Sequence, residues 1–263
     1  MVAKIFAITN QKGGVGKTTT SVNLAASLAA TRRRILLIDL DPQGNATMGS
    51  GISKNELELT AYDLLTKKAN FADVVVRSEV GKYDVIPANG DLTAAEVELL
   101  GEIGREHRLR SVLKIIRDNY EFILIDCPPS LNMLTVNALS AADGVLIPMQ
   151  CEYYALEGLA ALMSTIDQIK ETINPDLEIS GILRTMYDPR NSLTRDVSSE
   201  LEEYFKEQLY KVAIPRNVRL AEAPSHGMSV LQYDKSSKGA LAYLALAGEI
   251  VRKTKAEAKA VNA

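Results

Sequence analysis

A chain of 263 residues, 46% hydrophobic and 24% charged, is long enough for one large α/β domain and has an ordinary soluble composition. Its net charge of −3 at pH 7 excludes a general polycation, so any contact with nucleic acid has to come from a local patch. No apolar run reaches the roughly 20 residues that cross a bilayer, MVAKIFAITN lacks the regions of a signal peptide, and the two cysteines, Cys127 and Cys151, lack metal-ligand spacing and read as reduced cytosolic thiols.

Apolar, β-branched runs alternate with helical segments along the chain. The predicted strands are Lys4–Thr9, Ile35–Asp39, Asp84–Pro87, Phe122–Asp126, Val145–Met149, Ile179–Thr185 and Lys211–Ile214. The predicted helices are Thr18–Ala30, Ala94–Leu100, Glu106–Asp118, Met133–Ala141, Leu156–Thr172, Arg195–Lys206 and Gly239–Lys255. Runs such as ILLID and FILID carry no polar alternation, so both of their faces are covered. This pattern implies a single doubly wound α/β domain over residues 1–255, a mostly parallel sheet flanked by helices. Gly44–Asn55 reads as a loop, and 256–263 as a frayed tail. Ligands of such sheets lie at the carboxyl ends of the strands.

The first strand runs into the glycine-rich turn Lys12-Gly13-Gly14-Val15-Gly16-Lys17-Thr18-Thr19, which opens a helix. Glycines let backbone N–H groups approach phosphate oxygens, and a helix N-terminus adds donors and a favourable dipole. Lys17 supplies a point charge for β- and γ-phosphates, and the Thr18 hydroxyl suits magnesium. The strict pattern G-x-x-x-x-G-K-[ST] fails, because Gln11 stands where its first glycine belongs and Lys12 adds a second lysine. The variant still implies a P-loop holding ATP and Mg2+.

The second strand ends in LLIDLDPQGN. Asp39 and Asp41 beside a triphosphate would repel it unless a cation intervened, so the pair suits magnesium or a polarised water. FILIDCPPS places Asp126 at the end of the fourth predicted strand, as in a Walker-B element. His107 and His226 read as peripheral. From Arg184 onward 13 Lys and Arg face 10 Asp and Glu, so the remainder carries the acidic excess.

KGGVGKTT, LLIDLDPQGN, ILIDCPPSL, PMQCEYYALEGL and IPRNVRLAEAPSHG together resemble the ParA/Soj family of chromosome- and plasmid-partitioning ATPases, with its deviant P-loop NTPase fold. The first strand begins at Lys4, as in the short chromosomal type. The resemblance implies an ATP-driven homodimer in which Lys12 reaches the partner's phosphates. It also implies Asp41 as the water-activating group, Asp126 holding magnesium through water, and Pro215 and Asn217 beside the adenine. Arg190 and Arg219 match arginines that contact double-stranded DNA without sequence preference. A ParB-type activator would stimulate hydrolysis and release the dimer. The implied location is cytoplasmic and nucleoid-associated, with no membrane partner. Two alternatives share the loop. A MinD-like membrane-cycling ATPase would need an apolar tail, yet after Val251 this chain offers only Val261. An ATP-dependent ligase would lack the two narrower motifs.

Overall fold

The expected apolar runs form the middle of a seven-stranded sheet in the computed structural model, which describes residues 2–261. In chain order the strands are β1 (Lys4–Ile8), β2 (Ile35–Asp39), β3 (Val76–Ser78), β4 (Tyr83–Ile86), β5 (Phe122–Asp126), β6 (Gly144–Gln150) and β7 (Glu178–Thr185). The helices that open the chain are α1 (Lys17–Ala30), α2 (Asn45–Gly49), α3 (Ala61–Leu65), α4 (Phe71–Val74), α5 (Leu92–Glu98) and α6 (Arg108–Ile116). They continue with α7 (Met133–Ala141), α8 (Ala155–Thr172), α9 (Ser192–Tyr204), α10 (Val218–Glu222), α11 (Val230–Tyr233) and α12 (Lys238–Val261).

Strand order is β3-β4-β2-β5-β1-β6-β7, and all neighbours are parallel except the edge pair β3–β4. Successive side chains of a strand go to opposite faces, and here both faces are dry. Ile5, Ala7, Leu36, Ile38, Ile123 and Ile125 join the core under α3 to α8. Phe6, Ile8, Ile35, Leu37, Phe122 and Leu124 join the core under α1 and α12. That is why these strands show no polar alternation. Each Ile, Leu or Phe among them contributes roughly 1.5–3 kcal/mol by leaving water.

Four differences from the sequence expectation stand out. Lys211–Ile214 is not a strand, although isolated bridges flank it at Leu209 and Pro215. The N–H groups of Lys211 and Val212 donate to the Glu249 carboxylate at 2.9 and 3.2 Å, which takes them away from any ladder. Gly44–Asn55 contains α2, which starts after Gly44 in the left-handed conformation. β3 is only Val-Arg-Ser, too short for its one apolar residue, Val76, to stand out after Val74 and Val75. Helix α12 runs through Val261, taking in all of the 256–263 tail except Asn262 and Ala263, which lie outside the described residues.

Two remote segments meet backbone to backbone on the α1 side of the sheet. A Cβ on Gly51 would lie 2.9 Å from the Gly227 carbonyl oxygen, and one on Gly227 3.1 Å from the Gly51 Cα. Both residues have positive φ, so side chains are excluded there by space and by conformation.

Candidate functional site

Parallel pairing brings three strand ends into one row. Ile8 of β1 is level with Asp126 of β5, and Asp126 is level with Asp39 of β2. The glycine turn that leaves β1 therefore arches over the two carboxylates that end its neighbours.

The turn is pinned on every side but one. Asn10 donates to the Pro148 carbonyl at 2.8 Å and accepts the Lys12 N–H at 3.0 Å. The Thr185 hydroxyl, at the end of β7, donates to the Val15 carbonyl at 2.8 Å. Gly14 and Gly16 have φ of +74° and +88°. A Cβ on Gly13 or Gly14 would meet nothing within 4 Å, so the face of the loop stays open for an anion. Gly16 precedes Lys17 as the cap of α1 and offers no side-chain acceptor to the first-turn amides. Such a concavity of main-chain donors at a helix N-terminus suits phosphate.

Lys17 lies almost wholly inside, and its ammonium donates to the Lys12 carbonyl at 3.1 Å. Burial lowers its pKa, while Asp126, Cys127 and Asp41 pull the other way. Thr18 donates to Asp126 Oδ2 at 2.8 Å and Ser21 to Oδ1 at 2.7 Å. Burial raises the Asp126 pKa most, with the Asp39 charge adding to it and the two hydroxyls opposing. A fully buried carboxyl beside a threonine hydroxyl, at the foot of a phosphate-shaped loop, is a donor set that fits a hard divalent cation.

Asp39 and Asp41 part company. Asp39 is fully buried and accepts the Thr47 N–H and hydroxyl, both at 2.8 Å, and the Asp41 N–H at 3.1 Å. Thr47 in turn accepts the Ala88 N–H at 2.9 Å, so Asp39 ties β2 to α2 and the end of β4. Burial raises its pKa and these donors oppose the rise. Asp41 is half-buried and accepts the Gln43 N–H at 2.9 Å. It acts electrostatically on both Lys17 and Asp126, which puts it on the rim of the same cleft.

Lys12 points away from the turn. Its Nζ pairs with Glu152 Oε2 at 2.6 Å, on the segment between β6 and α8. Pro215 bridges to Tyr187 just beyond Thr185, and Asn217 Oδ1 caps α10 by accepting the Arg219 N–H at 3.0 Å. A cavity of about 480 Å3 opens beside the first turn of α1, between Thr18, Thr19 and Asn23 on one wall and Asn45, Met48 and Pro224 on the other. That is ample for part of a nucleotide-sized ligand.

Arg190 and Arg219 lie outside the cleft on exposed surface. Arg190 makes a two-pronged pair with Asp188, at 2.9 and 2.7 Å. Arg219 pairs with Glu222 at 2.7 Å and faces Asp234 at 3.5 Å. His107 bonds the Ser140 hydroxyl at 2.7 Å and His226 stacks on Tyr233, both away from the strand ends. Cys127 and Cys151 are buried and unpaired, and burial pushes both thiols up, so they are inert. Sequence reasoning missed Asn10, Ser21, Thr47, Thr185 and Glu152. Ser21 carried a signal, one turn after Thr18 on the same helix face; the others are positioned by tertiary structure.

Comparison with known proteins agrees with the geometry. A family profile described as an AAA domain matches residues 3–179. The chain is 53% identical to the sporulation initiation inhibitor protein Soj of Bacillus subtilis, covering 95% of this chain and 98% of that protein. It is 51% identical to the chromosome partitioning protein ParA of Caulobacter vibrioides, covering 98% and 97%. Among solved structures, cobyrinic acid a,c-diamide synthase from Mycobacterium smegmatis, with bound ATP analog and magnesium, superposes with a TM-score of 0.83 at 36% identity, covering 97% and 96%.

Proposed function

We propose that this chain, which belongs to the ParA/Soj family of chromosome-partitioning ATPases, uses ATP to build a DNA-gripping dimer and hydrolysis to dissolve it. It is a P-loop ATPase whose cofactors are ATP and Mg2+. The observation that carries the dimer reading is the split between the two lysines of the turn. Lys17 is buried and committed to its own loop, whereas Lys12 is exposed and directed outward to Glu152. A single triphosphate needs one such charge, and the second is available to a partner's nucleotide.

The roles follow. Amides of Gly13, Gly14, Val15, Gly16, Lys17, Thr18 and Thr19 cradle phosphates, and Lys17 neutralises them. Thr18 and Asp126 would hold Mg2+, which would supply a Lewis acid beside the phosphates. Asp39 is the brace that sets the Asp41 loop, since all its geometry is spent on Thr47 and Asp41. Asp41 orients the attacking water. Lys12, in trans, stabilises the transition-state charge as an arginine finger does. Pro215 and the Asn217 amide nitrogen face the adenine.

Arg190 and Arg219 meet phosphates of double-stranded DNA. A ParB-type activator speeds hydrolysis, and the protein works in the cytoplasm on the nucleoid. No helix among the described residues is long and apolar enough to cross a membrane.

The test is titration of a labelled duplex with ATP, with ADP and without nucleotide. Tight binding with ATP alone is expected, and equal affinity in all three states would end the reading. The likeness to the diamide synthase gives a second reading, ATP-dependent amide formation. Phosphate release from ATP and water alone, with no acceptor present, separates the two.

A further inference from the structure

Two segments form one exposed surface beside β7. Tyr187 bridges Pro215, which sets the 187–190 loop against 215–222, and Gly239 at the start of α12 packs on Leu220. The cations on this surface are Arg190, Arg216, Arg219, Lys235 and Lys238, all exposed. Three carboxylates stand among them: Asp188, Glu222 and Asp234.

These carboxylates differ in what they do. Asp234 accepts the Ser236 N–H and hydroxyl through Oδ1 and so belongs to the turn before α12. Asp188 accepts through both oxygens from Arg190, whose Nε and terminal nitrogen lie 2.9 and 2.7 Å away, and from the Arg190 N–H at 3.1 Å. It also feels the charge of Arg216. Glu222 accepts from Arg219 at 2.7 Å and from the Tyr233 hydroxyl at 3.3 Å. Each of these two is devoted chiefly to an arginine already assigned to a duplex.

The Arg190–Asp188 pair has the two-pronged geometry that a phosphate takes in the same place, and Arg219 holds Glu222 through one terminal nitrogen, as it would hold a single phosphate oxygen. We propose that Asp188 and Glu222 are phosphate placeholders: they neutralise and orient Arg190 and Arg219 while the surface is empty, and a nucleic-acid backbone must displace them. The inference rests on the DNA-binding reading above. Its physical consequence is a deliberately weakened grip. Each duplex contact made by Arg190 or Arg219 begins by breaking an ion pair, so the two acids limit affinity and let the protein leave readily. An exposed pair of this kind opposes binding by little, so the effect is graded rather than absolute.

The experiment measures duplex binding by fluorescence anisotropy, with ATP, for the full-length wild-type chain, Asp188→Asn, Glu222→Gln, the double variant and Glu171→Gln. Glu171 is an exposed acid on α8 outside the surface, so its variant reports the change in net charge alone. Each placeholder substitution should tighten binding roughly twofold to fivefold over Glu171→Gln, and the double variant should be tightest. Wild-type binding with ATP, and variants no tighter than Glu171→Gln, would overturn the placeholder role and leave the DNA reading standing. No duplex bound by wild type or by any variant would overturn both.

Discussion

The cleft at the ends of β1, β2 and β5 and the arginine surface beside β7 are made of the same groups in opposite settings. In the cleft Lys17 is 7% exposed and Asp126 is 0% exposed. On the surface the Arg190 side chain is 88% exposed. Burial leaves the cleft groups with few partners and a strong field, because little water screens them. The surface groups sit in pairs that water and salt weaken. Removing one cleft group should therefore abolish a step outright, while removing one surface group should only scale an affinity.

Lys12 is the severest test of that contrast. In the single chain its side chain is 46% exposed and looks like a surface residue, yet the dimer reading buries it against a partner's phosphates. Lys12→Ala should lower turnover by about 10³-fold or more, as removal of an arginine finger does. It should leave nucleotide affinity of the monomer near wild type, and light scattering should find no ATP-dependent dimer. A dimer as abundant as wild type's would return Lys12 to the ordinary surface.

Asp41→Ala should bind ATP but hydrolyse it about 10² to 10⁴ times more slowly, the range of a positioned proton acceptor. Phosphate release assays at saturating ATP read this directly, and wild-type turnover would shift the role elsewhere. Next comes Lys17→Ala, expected to weaken nucleotide binding about a hundredfold, or ~2.8 kcal/mol. If calorimetry finds a weakening of less than about tenfold, the loop assignment is wrong.

The buried carboxyls give a pH signature. Asp39 is pushed up to about 6 and Asp126 to about 8, above their unfolded values, chiefly by burial. The folded chain therefore binds more protons than the unfolded chain across that interval. The pair's contribution to stability is full below about pH 4 and is lost as pH rises through about 8. Without nucleotide, Asp126→Asn should gain melting temperature relative to wild type at pH 8 and converge with it towards pH 4. Parallel pH profiles would show that Asp126 does not titrate abnormally. The smallest effect belongs to the surface: Arg219→Glu should weaken duplex binding and lower the salt slope by roughly 0.9 for each DNA phosphate the variant no longer neutralises. An unchanged slope would move the DNA face away from α10.

The same contrast explains what could be read from the sequence. β2 and β5 are visible to the residue, because ILLID and FILID must be apolar on both faces and then stop at a carboxylate. The glycine turn is equally legible, since a phosphate loop constrains every position in it. Lys211–Ile214 misled because a strand-like composition says nothing about Glu249, which takes its N–H groups from 38 residues away. β3 escaped because an antiparallel edge of three residues offers too few positions to show a period, even with Val76 on the core. At the site, Asp39 and Asp41 look alike in sequence, and only the packing of Thr47 separates the buried carboxylate from the half-buried one. The partners of Arg190 and Arg219 lie two and three residues away, yet nothing in the spacing says that they pair.

Among the contacts that join the two regions, one is main chain against main chain. Gly51 closes the segment that begins at Asp41, and Gly227 closes the one that begins at Arg219, and at their meeting point there is main chain on both sides. Side chains can rotate out of each other's way; peptide units cannot. A shift of the first segment at this point would therefore meet the main chain of the second with nothing soft in between. A methyl group added there would jam the linkage rather than merely crowd it.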